Sequence, residues 1–256
     1  MKRRLRRPPG SRRHRAAGFT LVELMVSIAI ALFMVAAVLS IYLTMKNTFV
    51  SQDDLAELQD SERLVLTMFS KTVQSAGYFV LPLANTEATA LPATTVTRTD
   101  GSSSTFSIGQ SVIGTGDGSG TGANSDTLAV RYQTASGDGL MNCQGAANTS
   151  GLPTVWVNAF AVNASNELTC TVGTGTPVAL VGNVGKLGVL YGVDTDGDGN
   201  MDTYLPASGV TAAALWGSVH SVQITVSFLD TTKPASAGTV LLPNAFVQNI
   251  DLMNLQ

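Results

Sequence analysis

The chain has 256 residues and a formal net charge of −3, from 15 Lys+Arg and 18 Asp+Glu. Eight of the cations fall in residues 1–18, which hold no acid, so residues 19–256 keep seven cations against 18 acids and carry −11. A body of that sign argues against generic nucleic-acid binding, because phosphate contacts need cations. Two cysteines without a Cys-x-x-Cys spacing give no sign of zinc or dithiol redox chemistry, and no Ser/His/Asp set or carboxylate pair defines an active site, so the chain reads as a non-enzyme.

The first element is a basic segment, residues 1–18, ending in Gly18. It is followed at once by an apolar run. From Phe19 through Met45 only Glu23 carries a formal charge. At 1.5 Å per residue that run forms a helix of roughly 40 Å, enough to cross a bilayer. A carboxylate there costs on the order of 2.5–3.5 kcal/mol on insertion scales, which marks Glu23 as a functional candidate. A secretory signal peptide places its apolar region before the cleavage site. Here the Gly18-Phe19 junction precedes it.

That order, with Phe19-Thr20-Leu21-Val22-Glu23 after the glycine, resembles the class III leaders of type IV pilins and type II secretion pseudopilins. An ordinary signal anchor, or cleavage near Ala29-Ile30-Ala31, would leave the junction and the acid without explanation. The resemblance implies cleavage after Gly18 by prepilin peptidase and N-methylation of Phe19. It also implies pairing of Glu23 with the N-terminal amine of a neighbouring subunit during assembly. The alternative for Glu23 is an acid stabilised by the helix macrodipole. The basic flank orients the helix with its N-terminus in the cytoplasm. The inner membrane is then crossed once, the C-terminal body is periplasmic, and pilus or cell surface is the final location.

Residues 46–77 continue the helix. Leu58, Val65, Phe69, Val73 and Ala76 recur on one amphipathic face, no Pro or Gly interrupts Phe19–Ala76, and Gly77 supplies a C-cap. The expectation is one helix of nearly 60 residues with an acidic solvated face between Asp53 and Arg63. About 175 residues follow, enough for one β-rich domain over 78–256. Residues 84–125, rich in Ser, Thr and Gly, read as loop or weak strand unable to bury a core. Strands are expected at Leu128–Tyr132, Thr154–Val162, Leu168–Val172, within Val178–Val193, at Val222–Phe228 and within Phe246–Met253. In the first of these, Leu128, Val130 and Tyr132 alternate with Thr127, Ala129 and Arg131. The fold class is α+β: a long helix whose first half spans the membrane, packed in its second half on a mainly antiparallel sheet.

Met25–Ile30, Ala76-Gly77-Tyr78 and Asp126–Tyr132 are similar to the PilW-type minor pilins, which in turn resemble the J-type minor pseudopilin of type II secretion. The implied partners are other minor pilins, the major pilin, prepilin peptidase and the inner-membrane assembly platform. A calcium-ordered adhesive or DNA-uptake tip module is a further alternative.

Two other features carry chemistry. Cys143 and Cys170 suit a disulfide in an oxidising compartment; a bridge closing that loop stabilises by roughly 3–4 kcal/mol in the chain-entropy picture. Asp194-Thr195-Asp196-Gly197-Asp198-Gly199-Asn200-Met201-Asp202 resembles calcium loops. Asp194, Asp196, Asp198 and Asp202 would supply side chains and Asn200 its carbonyl. Leu205 replaces the usual bidentate Glu, and no clear helix flanks the loop. The rival is a metal-free acidic hairpin turn.

Overall fold

A computed structural model describes residues 18–230 and 240–252. The leader, residues 1–17, lies outside the described residues. The chain divides into two units, the first ending at Leu58 and the second running from Gln59. Within the first unit the described structure is helix preceded by three non-helical residues. This helix, α1, spans Leu21–Gln74, slightly shorter than the uninterrupted sequence allows. Its hydroxyls are satisfied internally: Ser27 donates to the Glu23 carbonyl at 2.7 Å, and Thr44, Thr48 and Ser51 each donate to the carbonyl four residues earlier. Such back-bonding removes polar groups that hydrocarbon could not solvate.

In the second unit, α1 buries Val65, Phe69, Val73 and then Ala76, the face expected from the spacing. The helix stops because Gly77 adopts φ +76°, a left-handed conformation that costs glycine nothing. The Gly77 N–H donates to the Arg131 carbonyl at 3.0 Å, so the end of the helix is tied to a strand.

Eleven described strands, all paired antiparallel, form three sheets. The ribbon consists of β1 (Thr94–Thr97) and β2 (Ser103–Phe106). The five-stranded sheet has the order β3 (Val112–Thr115), β4 (Thr127–Thr134), β5 (Thr154–Val162), β6 (Leu168–Val172), β7 (Val178–Val181). The four-stranded sheet contains β8 (Val184–Val193), β9 (Thr203–Pro206), β10 (Val219–Phe228) and β11 (Phe246–Asp251), in the order β11-β10-β8-β9. Short helices α2 (Glu87–Ala90) and α3 (Ala207–Ala213) join them. The α+β class is therefore observed, with three sheets in place of a single one. The β5–β6 hairpin has the bounds its sequence indicates, and Phe69 of α1 packs on Phe160 of β5 with ring centroids 4.7 Å apart.

One expectation needs correction. Residues 84–125 do bury side chains: Ala90 and Leu91 pack with Phe79, and Phe106 packs with Ala129 and Val157. Both faces of β4 are covered as well. Ala129 and Arg131 are as buried as Leu128, Val130 and Tyr132 in this strand, which lies between β3 and β5.

The physical reason lies in Arg131, which is fully buried. Its guanidinium donates to the carbonyls of Gln110, Pro92, Leu91 and Ser107, and stands 4.8 Å from the Phe106 ring centroid. A segment too polar to collapse on its own is thus gathered around one cation through its backbone. Arg131→Met keeps the length and removes the donors. It should destabilise the protein by roughly 3–5 kcal/mol, the cost of stranding buried polar groups, measurable as a lowered denaturant midpoint.

Candidate functional site: the amino end and an acidic loop

In the first unit, Gly18 and Phe19 precede α1 in exposed, non-helical backbone. A Cβ built on Gly18 meets no heavy atom within 4 Å, and its backbone is outside the left-handed region. The fold therefore places no demand for glycine at this position. Phe19 is 80% exposed.

Glu23 is the third residue of α1 and lies in its first turn. Its N–H donates to the Thr20 hydroxyl at 3.3 Å. Thr20-x-x-Glu23 is the spacing of a capping box, a signal present in the sequence itself. An acid here is favoured by the helix dipole. Glu23 is thus at the mouth of the apolar run rather than deep inside it.

Beyond it, Leu21 through Met45 project apolar side chains on every face, with Phe33 at 82% exposure. Among the described helices, α1 is the one long and apolar enough to cross a membrane, with none of its most apolar 18-residue window buried.

In the second unit, the acidic loop joins β8 to β9, so strands flank it where an EF-hand would have helices. Asp194 Oδ1 accepts the N–H groups of Asp196 and Gly197 at 3.1 and 2.7 Å, and its Oδ2 accepts that of Gly199 at 2.8 Å. Gly197 and Gly199 sit at φ +80° and +86°, which lets the backbone curl over the carboxylate. Asp202 Oδ2 accepts both the hydroxyl and the N–H of Thr195, at 2.6 and 2.8 Å.

Asp194, Asp196 and Asp202 each bring one carboxylate oxygen to within 4.8 Å of the others, a hard-oxygen set of the kind calcium takes. The Asp198 carboxylate is not part of that group of carboxylates. The Asp198 carboxylate accepts the Asn200 N–H at 2.7 Å. Leu205 lies in β9 and supplies no ligand.

Donation from the Gly199 and Gly197 N–H groups holds the Asp194 carboxyl below the ordinary carboxylate range, and the Thr195 hydroxyl does the same for Asp202. Both groups have folded values below their unfolded ones. Their contribution is complete above the unfolded range near pH 4 and is lost as pH falls through the folded values. The Gly197 and Gly199 amide signals should therefore move, and their protection against exchange relative to the free-peptide rate should fall, as pH falls below about 4. Invariant signals down to pH 2 would contradict this.

Cys143 and Cys170 form a disulfide with Cα atoms 6.2 Å apart, joining the β4–β5 connection to β6. Both are buried.

A long apolar N-terminal helix followed by an antiparallel β domain with a disulfide is the arrangement of a pilin. The Prokaryotic N-terminal methylation motif matches residues 13–39, across Gly18, Phe19 and Glu23. The family described as Type IV Pilus-assembly protein W matches residues 146–239, from the loop before β5 to the segment after β10. No curated protein and no solved structure matches the chain significantly. The chain is thus similar to the N-terminal methylation motif over its amino end and to the pilus-assembly family over part of its β domain.

Proposed function

We propose that this chain is a minor pilin that helps initiate, or is incorporated into, a type IV pilus through packing of its N-terminal helix. The observation that carries the reading is the amino end: a glycine the fold does not require, an exposed Phe19, and an apolar helix without cover of its own. A residue unexplained by the fold is explained by an external reader, and cleavage after Gly18 by prepilin peptidase is such a reading. Cleavage would place the new amine of Phe19, which the same enzyme methylates, beside the first turn of α1. The Glu23 carboxylate of an adjacent subunit then has a cationic partner where water is scarce and pairing is worth most.

Before assembly the protein rests in the inner membrane with its β domain in the periplasm, consistent with the disulfide. Other minor pilins, the major pilin and the assembly platform are its partners. A minor pseudopilin of type II secretion is the second reading, since the same amino end serves both.

Deletion of the gene should abolish or reduce surface pili and leave exported enzymes unchanged. Complementation with Glu23→Ala should restore membrane insertion but not piliation. Loss of exported enzymes with normal pili would transfer the chain to the secretion system. Full restoration by Glu23→Ala would remove the pairing role.

We assign calcium to the acidic loop on the strength of its three converging carboxylates. Like charges that close repel unless a cation lies among them. Calcium should raise the Tm of the purified protein, and Asp196→Asn should suppress most of the shift. An unchanged Tm with saturating calcium would leave an ordinary acidic hairpin, and with it would go the calcium-ordered adhesive or DNA-uptake module.

A further inference from the structure

Arg98 follows β1 and is 6% exposed, yet it has none of the acceptors that Arg131 enjoys. Its two terminal nitrogens donate to the hydroxyls of Ser102 and Ser104, at 3.3 and 2.9 Å. Its Nε is buried and has no hydrogen-bond partner. Among the described residues the hydrogen bonds of its guanidinium therefore end on neutral hydroxyls and on no carboxylate. The nearby acid, Asp100, is exposed and already accepts the N–H and hydroxyl of Ser102, at 2.9 and 2.7 Å. Burial pushes the Arg98 guanidinium below its ordinary value, with Asp100 opposing the shift. A desolvated cation with an unused donor calls for an anion.

The space for one is present. The β1–β2 ribbon covers one face of the five-stranded sheet: Phe106 and Val96 pack with Ala129 and Val157. Strand register aligns Ala129 with Ala159, Ala159 with Thr171, and Ala161 with Thr169. Since side chains alternate, these residues share that face. Alanine and threonine are too small to fill the gap beneath the ribbon. A cavity of about 320 Å³ remains, lined by Arg98, Asp100, Ser102 and Ser104 on the ribbon side and by Ala159, Ala161 and Thr171 on the sheet, the Asp100 carboxylate being already engaged by Ser102. Its size is at the lower end of the range for small-molecule sites, roughly 300–1,000 Å³. Thr115 and Thr127, hydrogen-bonded to each other at 2.7 Å, add hydroxyls at one end.

We propose that this cavity binds a sugar acid, its carboxylate on Arg98 and its hydroxyls among the serine and threonine side chains. One guanidinium selects one oxyanion, and a wall of hydroxyls that donate and accept suits a polyol better than an apolar body. The assignment does not depend on filament assembly, since every residue in it belongs to the second unit.

Glucuronate titrated calorimetrically into the full chain in non-ionic detergent should bind saturably at one site. Glucose, acetate and inorganic phosphate should bind at least about tenfold more weakly. Arg98→Gln should lose binding. Because removing a buried cation can disturb the fold, Ala161→Leu provides the independent variant. It keeps Arg98 and fills the floor, and should weaken glucuronate at least about tenfold with an unchanged circular-dichroism spectrum. Absence of glucuronate binding, equal binding of glucose or phosphate, or unaltered binding by Ala161→Leu would each overturn the proposal.

Discussion

An uncovered apolar surface governs the first unit. Leu24, Val26, Ile28, Ile30, Leu39 and Ile41 are all more than half exposed, spread around the full circumference of α1. Each buried side chain of this kind is worth about 1.5–3 kcal/mol relative to exposure in water. No soluble monomer leaves so many of them wet. The segment therefore takes its stability from a hydrocarbon layer or from helices like itself. Both environments impose the same rules: backbone groups paired within the helix and side-chain hydroxyls bonded back to it. Ser27, Thr44, Thr48 and Ser51 obey them. A sequence that suits lipid and subunit contact equally well can pass from one to the other without refolding.

In the second unit a single residue plays the organising part. The Arg131 carbonyl accepts the N–H of Gly77 at the helix end, while its guanidinium reaches four carbonyls between Leu91 and Gln110. Helix end, central strand and polar connecting segment meet there. Backbone acceptors there supplement the few apolar side chains, among them Leu91 and Phe106, that residues 84–125 bury.

Legibility followed from which forces act locally. The apolar run, the end of α1 at Gly77 and the β5–β6 hairpin rest on periodicity and on single-residue backbone preference, and they stand where the sequence places them. The role of Arg131 depends on a carbonyl cluster contributed from twenty to forty positions upstream, which no window of sequence contains. The burial of both faces of β4 is non-local for a related reason: a charged residue between apolar ones is buried only where something distant in the chain covers it. The acidic loop was legible in composition and only partly in geometry. Spacing brings Asp194, Asp196 and Asp202 together, while the turn that Asn200 enters directs Asp198 to a backbone N–H. The Thr20–Glu23 cap is fully local, since it rests on a hydroxyl three residues before the acid.

Functional residues here separate from structural ones by asking what the fold requires. Gly77 and Arg131 are consumed by the fold: one needs its left-handed backbone, the other uses its donors on carbonyls. Gly18 has no neighbour to avoid, and Arg98 retains an unpartnered Nε beside an open cavity. Stability alone gives no reason for a glycine at an open position or for a buried guanidinium held only by serine hydroxyls. Each has the proposed external group as its explanation, a processing enzyme at the first and an oxyanion at the second. Those two demands are independent, because they fall in different units of the chain. A variant at either position would therefore separate assembly from ligand recognition.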